Sequence, residues 1–71
     1  MKIGDFVFYN GRKCEIIADK QTPYHQLPMG DLYPSLGCDF ILRQYFTEED
    51  TANSITFLPY VHCVEQEIRL L

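Results

Sequence analysis

Large apolar and polar side chains alternate from the first residues. Ile3, Asp5, Val7 and Tyr9 fall on one parity and Phe6 and Phe8 on the other, so a strand through this stretch carries bulky apolar groups on both faces. Asn10-Gly11 follows, the pair best suited to the positive φ angles of a two-residue type I′ turn. After it Cys14, Ile16 and Ala18 share one parity against Lys13, Glu15 and Asp19, with Ile17 alone out of step. The pattern predicts a β-hairpin over residues 3–18 whose second strand turns Cys14, Ile16 and Ala18 inward.

From Lys20 to Gly37 the period is lost. Pro23, Pro28, Pro34, Gly30 and Gly37 interrupt both helix and ladder, which predicts a connection far longer than the usual length of about 4 to 6 residues. The segment is not simply polar. Tyr24, Leu27, Met29, Leu32, Tyr33 and Leu36 either fold back over Phe6 and Phe8 or present a binding surface. Alternation resumes at Cys38, Phe40 and Leu42 and runs on to Phe46 as a third strand. Thr47 to Ser54 is polar and acidic and is expected as an exposed hairpin loop, with one helical turn capped by Thr47 as the alternative. Ile55 to Leu58 make a fourth strand that Pro59 confines to an edge or an end. Tyr60 to Glu67 reads as a short irregular link, and Ile68, Leu70 and Leu71 as a short fifth strand.

Composition changes this picture in two ways. At 71 residues, with 46% hydrophobic and 23% charged positions, the chain has enough apolar content for one globular domain and argues against disorder. No apolar run approaches the roughly 18 residues that a membrane-spanning helix needs, and the first residues lack the apolar core of a secretory signal. The net charge of −4 comes from ten acidic and six basic side chains, of which only Arg12 and Lys13 are adjacent. A phosphate backbone is gripped by clustered cations, so nucleic acid is the lesser expectation and a protein with a basic surface the greater. Cys14, Cys38 and Cys63 are odd in number and widely spaced, which suits buried thiols in a reducing cytoplasm better than a disulfide framework.

Candidate chemistry is sparse. A zinc site would need the three cysteines to converge with His25 or His62, yet His62 and Cys63 point to opposite sides of an extended segment and there is no Cys-x-x-Cys pair. A cysteine nucleophile with a histidine base lacks any local feature that would lower a thiol pKa. Glu48, Glu49 and Asp50 lack the alternating oxygen ligands of a calcium loop and read as a solvated turn, available as a negative patch to a basic partner. No cofactor is expected, and the chain does not read as an enzyme. The tyrosines, Tyr24 and Tyr33 among them, offer rigid apolar area with a polar tip, suited to protein contact.

Three stretches carry a likeness to a known architecture: Gly4-Asp5-Phe6-Val7 at the start, Glu15-Ile16-Ile17 in the second strand, and Val64-Glu65-Gln66-Glu67-Ile68-Arg69-Leu70 at the end. The chain resembles the SH3-like small β-barrel modules of bacteria and phages, which open with Gly-Asp-x-Val. The resemblance implies an all-β, five-stranded barrel with one long Pro/Gly-containing loop, forming a single domain over residues 1–71. It leaves the ligand open, because this barrel serves peptides, RNA, DNA and neighbouring domains alike. The functional expectation is a small acidic protein-binding module, an inhibitor or adaptor of the kind that phages and mobile elements encode. Phe6, Phe8, Tyr24, Tyr33, Glu48, Glu49 and Asp50 are its expected partner-binding residues, and a homodimer is compatible with them. The alternative is a nucleic-acid accessory barrel using Arg12, Lys13, Arg43 and aromatic stacking.

Overall fold

The computed structural model describes residues 1–45 and 59–71. Strand β1, Phe6–Tyr9, turns through Asn10 and Gly11 into β2, Arg12–Asp19. Both turn residues have positive φ, 52° and 77°, the combination a type I′ turn requires. The turn fixes the register Tyr9↔Arg12, Phe8↔Lys13, Val7↔Cys14 and Phe6↔Glu15. The hairpin forms about the turn that its sequence specifies, with its first strand beginning at Phe6 rather than at Ile3.

Beyond it the chain adds β3, Tyr24–Gln26, β4, Gly30–Leu32, β5, Phe40–Gln44, β6, Tyr60–Cys63, a single 3-10 turn over Glu65–Glu67, and β7, Ile68–Leu70. The long connection is not a continuous loop, as expected from its prolines and glycines, because β3 and β4 pair within it as a two-stranded hairpin. Nor is Tyr60–Cys63 an irregular link: it is a strand, held along β5 through Phe40↔Cys63, Ile41↔His62, Leu42↔Val61 and Arg43↔Tyr60. The third strand is shorter than its alternation suggested, ending at Gln44. The acidic loop with Glu48, Glu49 and Asp50, and the strand expected at Ile55 to Leu58, lie outside the described residues.

The main sheet is antiparallel and five-stranded, in the order β6-β5-β2-β1-β7. The chain is all-β, but no closed barrel forms among the described residues, since β6 and β7 stand at opposite edges of this sheet. Its inner face gathers Val7, Cys14, Ile16, Phe40, Leu42, Cys63 and Ile68 into one buried cluster drawn from all five strands. Among the described residues no helix is long and apolar enough to cross a membrane.

Strand β2 changes face partway along. Ile16 pairs with Leu42 and Ala18 with Ile41, and Ile17 is the extra residue of a β-bulge between them. A bulge of this kind sets two residues against one. It explains why Ile17 breaks the alternation, and it carries Ala18 off the inner face where Cys14 and Ile16 lie. Ile17, Ala18 and Ile41 form a second buried cluster on the outer face, and Tyr24, Leu32 and Tyr60 pack over it. The β3-β4 hairpin is thus a cover for the bulged end of the sheet.

Polar groups hold that arrangement in place. Asp19 accepts hydrogen bonds from the Gln21 and Thr22 amides at 2.8 and 2.7 Å and so turns the chain out of β2. Ser35 donates its amide to His62 Nδ1 at 2.9 Å, tying the exit of the hairpin to β6. Asp39 accepts from the Glu65 amide at 2.9 Å and lies 3.0 Å from Lys20 Nζ. These two contacts hold its carboxyl below the usual carboxylate range, the amide contributing most.

Candidate partner-binding face

The face is built by register. Directly opposed residues of an antiparallel pair share a side of the sheet, so Lys13, Phe8 and Arg69 form one row across β2, β1 and β7. Arg43, Glu15 and Phe6 form the next row across β5, β2 and β1. All six belong to the outer face, on the side opposite Val7.

Phe6 is 41% and Phe8 47% exposed, so the hairpin that covers the bulged end leaves both uncovered. The expected alternative in which the long connection folds over them is excluded. That segment seals Ile17, Ala18 and Ile41 instead, because the bulge concentrates apolar area there. Tyr45, 41% exposed, joins the aromatic group, with its ring centroid 6.1 Å from that of Phe6. Lys13 lies over both rings, with Nζ 4.7 Å from the Phe6 centroid and 5.9 Å from that of Tyr45, a cation–π placement.

The charges on this face are unequal in their surroundings. Glu15 accepts a hydrogen bond from the Tyr45 hydroxyl at 2.8 Å, which pushes the Tyr45 phenol above its usual pKa. Arg43 donates to the Tyr24 hydroxyl at 3.3 Å and also feels the Glu15 charge. Lys13 and Arg69, by contrast, are exposed and have no carboxylate partner among the described residues. An open groove of about 360 Å³, lined by Gly4, Asp5, Phe6, Lys13, Leu70 and Leu71, continues the apolar surface toward the end of β7.

Of the residues singled out from sequence, Phe6 and Phe8 come together here. Tyr24 does not: it is half-buried against the outer cluster, its ring 5.4 Å from that of Tyr60 and their hydroxyls 3.1 Å apart. Tyr33 is exposed just beyond β4, and Leu27 and Met29 stand almost fully exposed at the tip of the hairpin. Glu48, Glu49 and Asp50 lie outside the described residues. Of the other residues on this face, Lys13 belongs to the nucleic-acid alternative and Tyr45 to the five tyrosines suited to contact, while Arg69 is in neither expected set. The first two were readable, since a two-residue turn places Lys13 opposite Phe8 and the alternation of the third strand puts Tyr45 on the side of Ile41. Arg69 required the register of β7.

Of the three thiols expected to be buried, Cys38 is only half-buried. Cys14 and Cys63 are fully buried in the inner cluster. Burial raises both thiols, and that of Cys63 is pushed up to about 12. A thiol so disposed is a poor nucleophile at neutral pH. His62 and Cys63 do take opposite sides of β6, and no group of three or more metal-binding side chains assembles among the described residues. No protein-family model, no curated protein and no solved structure matches the chain.

Proposed function

We propose that the chain is a small protein-binding module of the SH3-like barrel type, acting as an inhibitor or adaptor by direct contact through the outer face of its first hairpin. The observation that carries this reading is the exposure of Phe6 and Phe8 beside Tyr45 on one side of the sheet. A cluster of large rings left open to water on a chain this small is the mark of an interaction surface. Aromatic residues are also the side chains that dominate protein interfaces. The barrel reading draws on the strand order and on the single 3-10 turn between β6 and β7.

A nucleic-acid reading draws on the same face, where rings next to cations offer stacking. The net charge of −4 weighs against it. The reading is tested by co-purification from cells that express the native chain or a Phe6→Ser/Phe8→Ser variant of equal thermal stability. A specific protein, or a second copy of the chain, is expected with the native form and lost with the variant. Identical recovery with both forms overturns the assignment of this face.

A further inference from the structure

We infer that the segment received by this face is acidic and apolar in alternation: an extended partner peptide that lays an aliphatic or aromatic side chain on Phe8 and Phe6 and sets carboxylates against Lys13 and Arg69. The inference rests on the protein-binding reading above and specifies the chemistry of the partner.

Its basis is local charge complementarity in a chain whose net charge has the opposite sign. Lys13 and Arg69 flank Phe8 in one row, on the strands to either side of it. Neighbouring strands lie about 4.8 Å apart, so the two residues flank Phe8 across roughly two strand spacings, with the Lys13 ammonium turned over the Phe6 and Tyr45 rings. The one acidic group within the two rows is already occupied. Glu15 takes the Tyr45 hydroxyl and sits opposite Arg43, which leaves Lys13 and Arg69 as the positive charges of the open surface among the described residues.

A basic partner would meet these two cations across an apolar contact and leave both unpaired as water is expelled, which is costly. A partner with carboxylates on either side of an apolar side chain satisfies both and covers Phe8. The groove beside Lys13 adds Leu71 to the apolar surface of Phe6, with Asp5 also in its lining. Nucleic acid fits less well, because a continuous phosphate backbone needs a row of cations, whereas these two flank a ring and Glu15 interrupts the track.

Fluorescence anisotropy of the whole chain with four dye-labelled probes decides the matter: a peptide of alternating Glu and Leu, its Gln/Leu and Lys/Leu counterparts, and an oligothymidylate. The Glu/Leu peptide is expected to bind tightest. Its affinity should fall on the order of tenfold in a Lys13→Glu/Arg69→Glu variant, as for loss of charge-assisted contacts. It should also weaken as salt is raised from about 0.05 M to about 0.3 M. Equal or tighter binding of the Lys/Leu peptide overturns the inference, as does tighter binding of oligothymidylate, indifference to the charge reversal, or failure of every probe to bind. Binding of the Gln/Leu or Lys/Leu peptide that is lost in Phe8→Ser would retain the docking face and discard only its acidic specificity. The co-purification comparison judges the face itself.

Discussion

At the Ile41 end of the outer face the chain covers its own apolar residues, and at the Phe8 end it leaves them open. The strands are the same, so the difference lies in what borders the apolar groups. The bulge sets Ile17 and Ala18 together against Ile41, giving an apolar spot that the β3-β4 hairpin seals with Tyr24 and Leu32, while Arg43 meets the Tyr24 hydroxyl at its edge. At the other end Phe8 stands between Lys13 and Arg69. Any segment of this chain that sealed it would have to strip water from two cations, at a cost that two rings do not offset unless the covering segment brings carboxylates. The covered end has one cation at its edge, already bonded to the Tyr24 hydroxyl, and the open end has two without a carboxylate partner among the described residues.

Substitution at the covered end should break this contrast most strongly. Ile41→Ala removes a side chain with no exposure and is expected to cost about 2 to 5 kcal/mol, read as a fall in the urea midpoint. A cost below about 1 kcal/mol would mean that the hairpin does not close over the sheet.

The inner face gives a pH-dependent reference. Cys63 titrates near 9 when unfolded and is pushed up to about 12 by burial when folded. Its contribution to stability is thus fully present below pH 9 and is lost as pH rises toward 12, because the unfolded chain gives up the proton first. The melting temperature should fall across that interval in the native chain and fall less in Cys63→Ala, measured relative to each protein's own value at neutral pH.

Gly11→Val tests the turn that aligns Phe8 with Lys13. Nothing lies within 4 Å of where its Cβ would sit, so the penalty comes from φ of +77° alone, about 1 to 2 kcal/mol for a residue with a Cβ. An unchanged melt would show that the turn relaxes freely. The smallest effect is expected at the open end, where Phe8→Ser should shift stability by no more than about 1 kcal/mol while abolishing partner capture. A large loss of stability there would erase the distinction between the two ends.

Much of the open face was legible in the chain. Asn10-Gly11 announces a two-residue turn, and with the turn fixed the parity of Phe6 and Phe8 against Val7 follows by counting. The covered end was not legible, for three physical reasons. Strands of three residues such as Tyr24–Gln26 and Gly30–Leu32 are too short to show a period. The prolines and glycines around them signal interruption without saying what is interrupted. The bulge also shifts alternation by one residue, so counting on from Cys14 and Ile16 placed Ala18 on the wrong face. Ile16-Ile17-Ala18, three apolar residues in succession, was the trace it left. Strand β6 was hidden by Pro59 and by a mixed composition in which only Val61 and Cys63 look inward.

The seam between hairpin and sheet has an optical consequence. The chain holds five tyrosines and no tryptophan, so its near-ultraviolet spectrum comes from phenols, and two of them meet across this seam. Tyr24 ionises more easily than a free phenol, through its hydrogen bond with Tyr60 and then its contact with Arg43, while the same bond makes Tyr60 harder to ionise. Phenolate absorbance from the two rings therefore develops at different alkalinities while the hairpin is docked, and the gap closes when it lifts away. Closure of the hairpin is thus readable in the protein's own ultraviolet absorbance, with no dye attached.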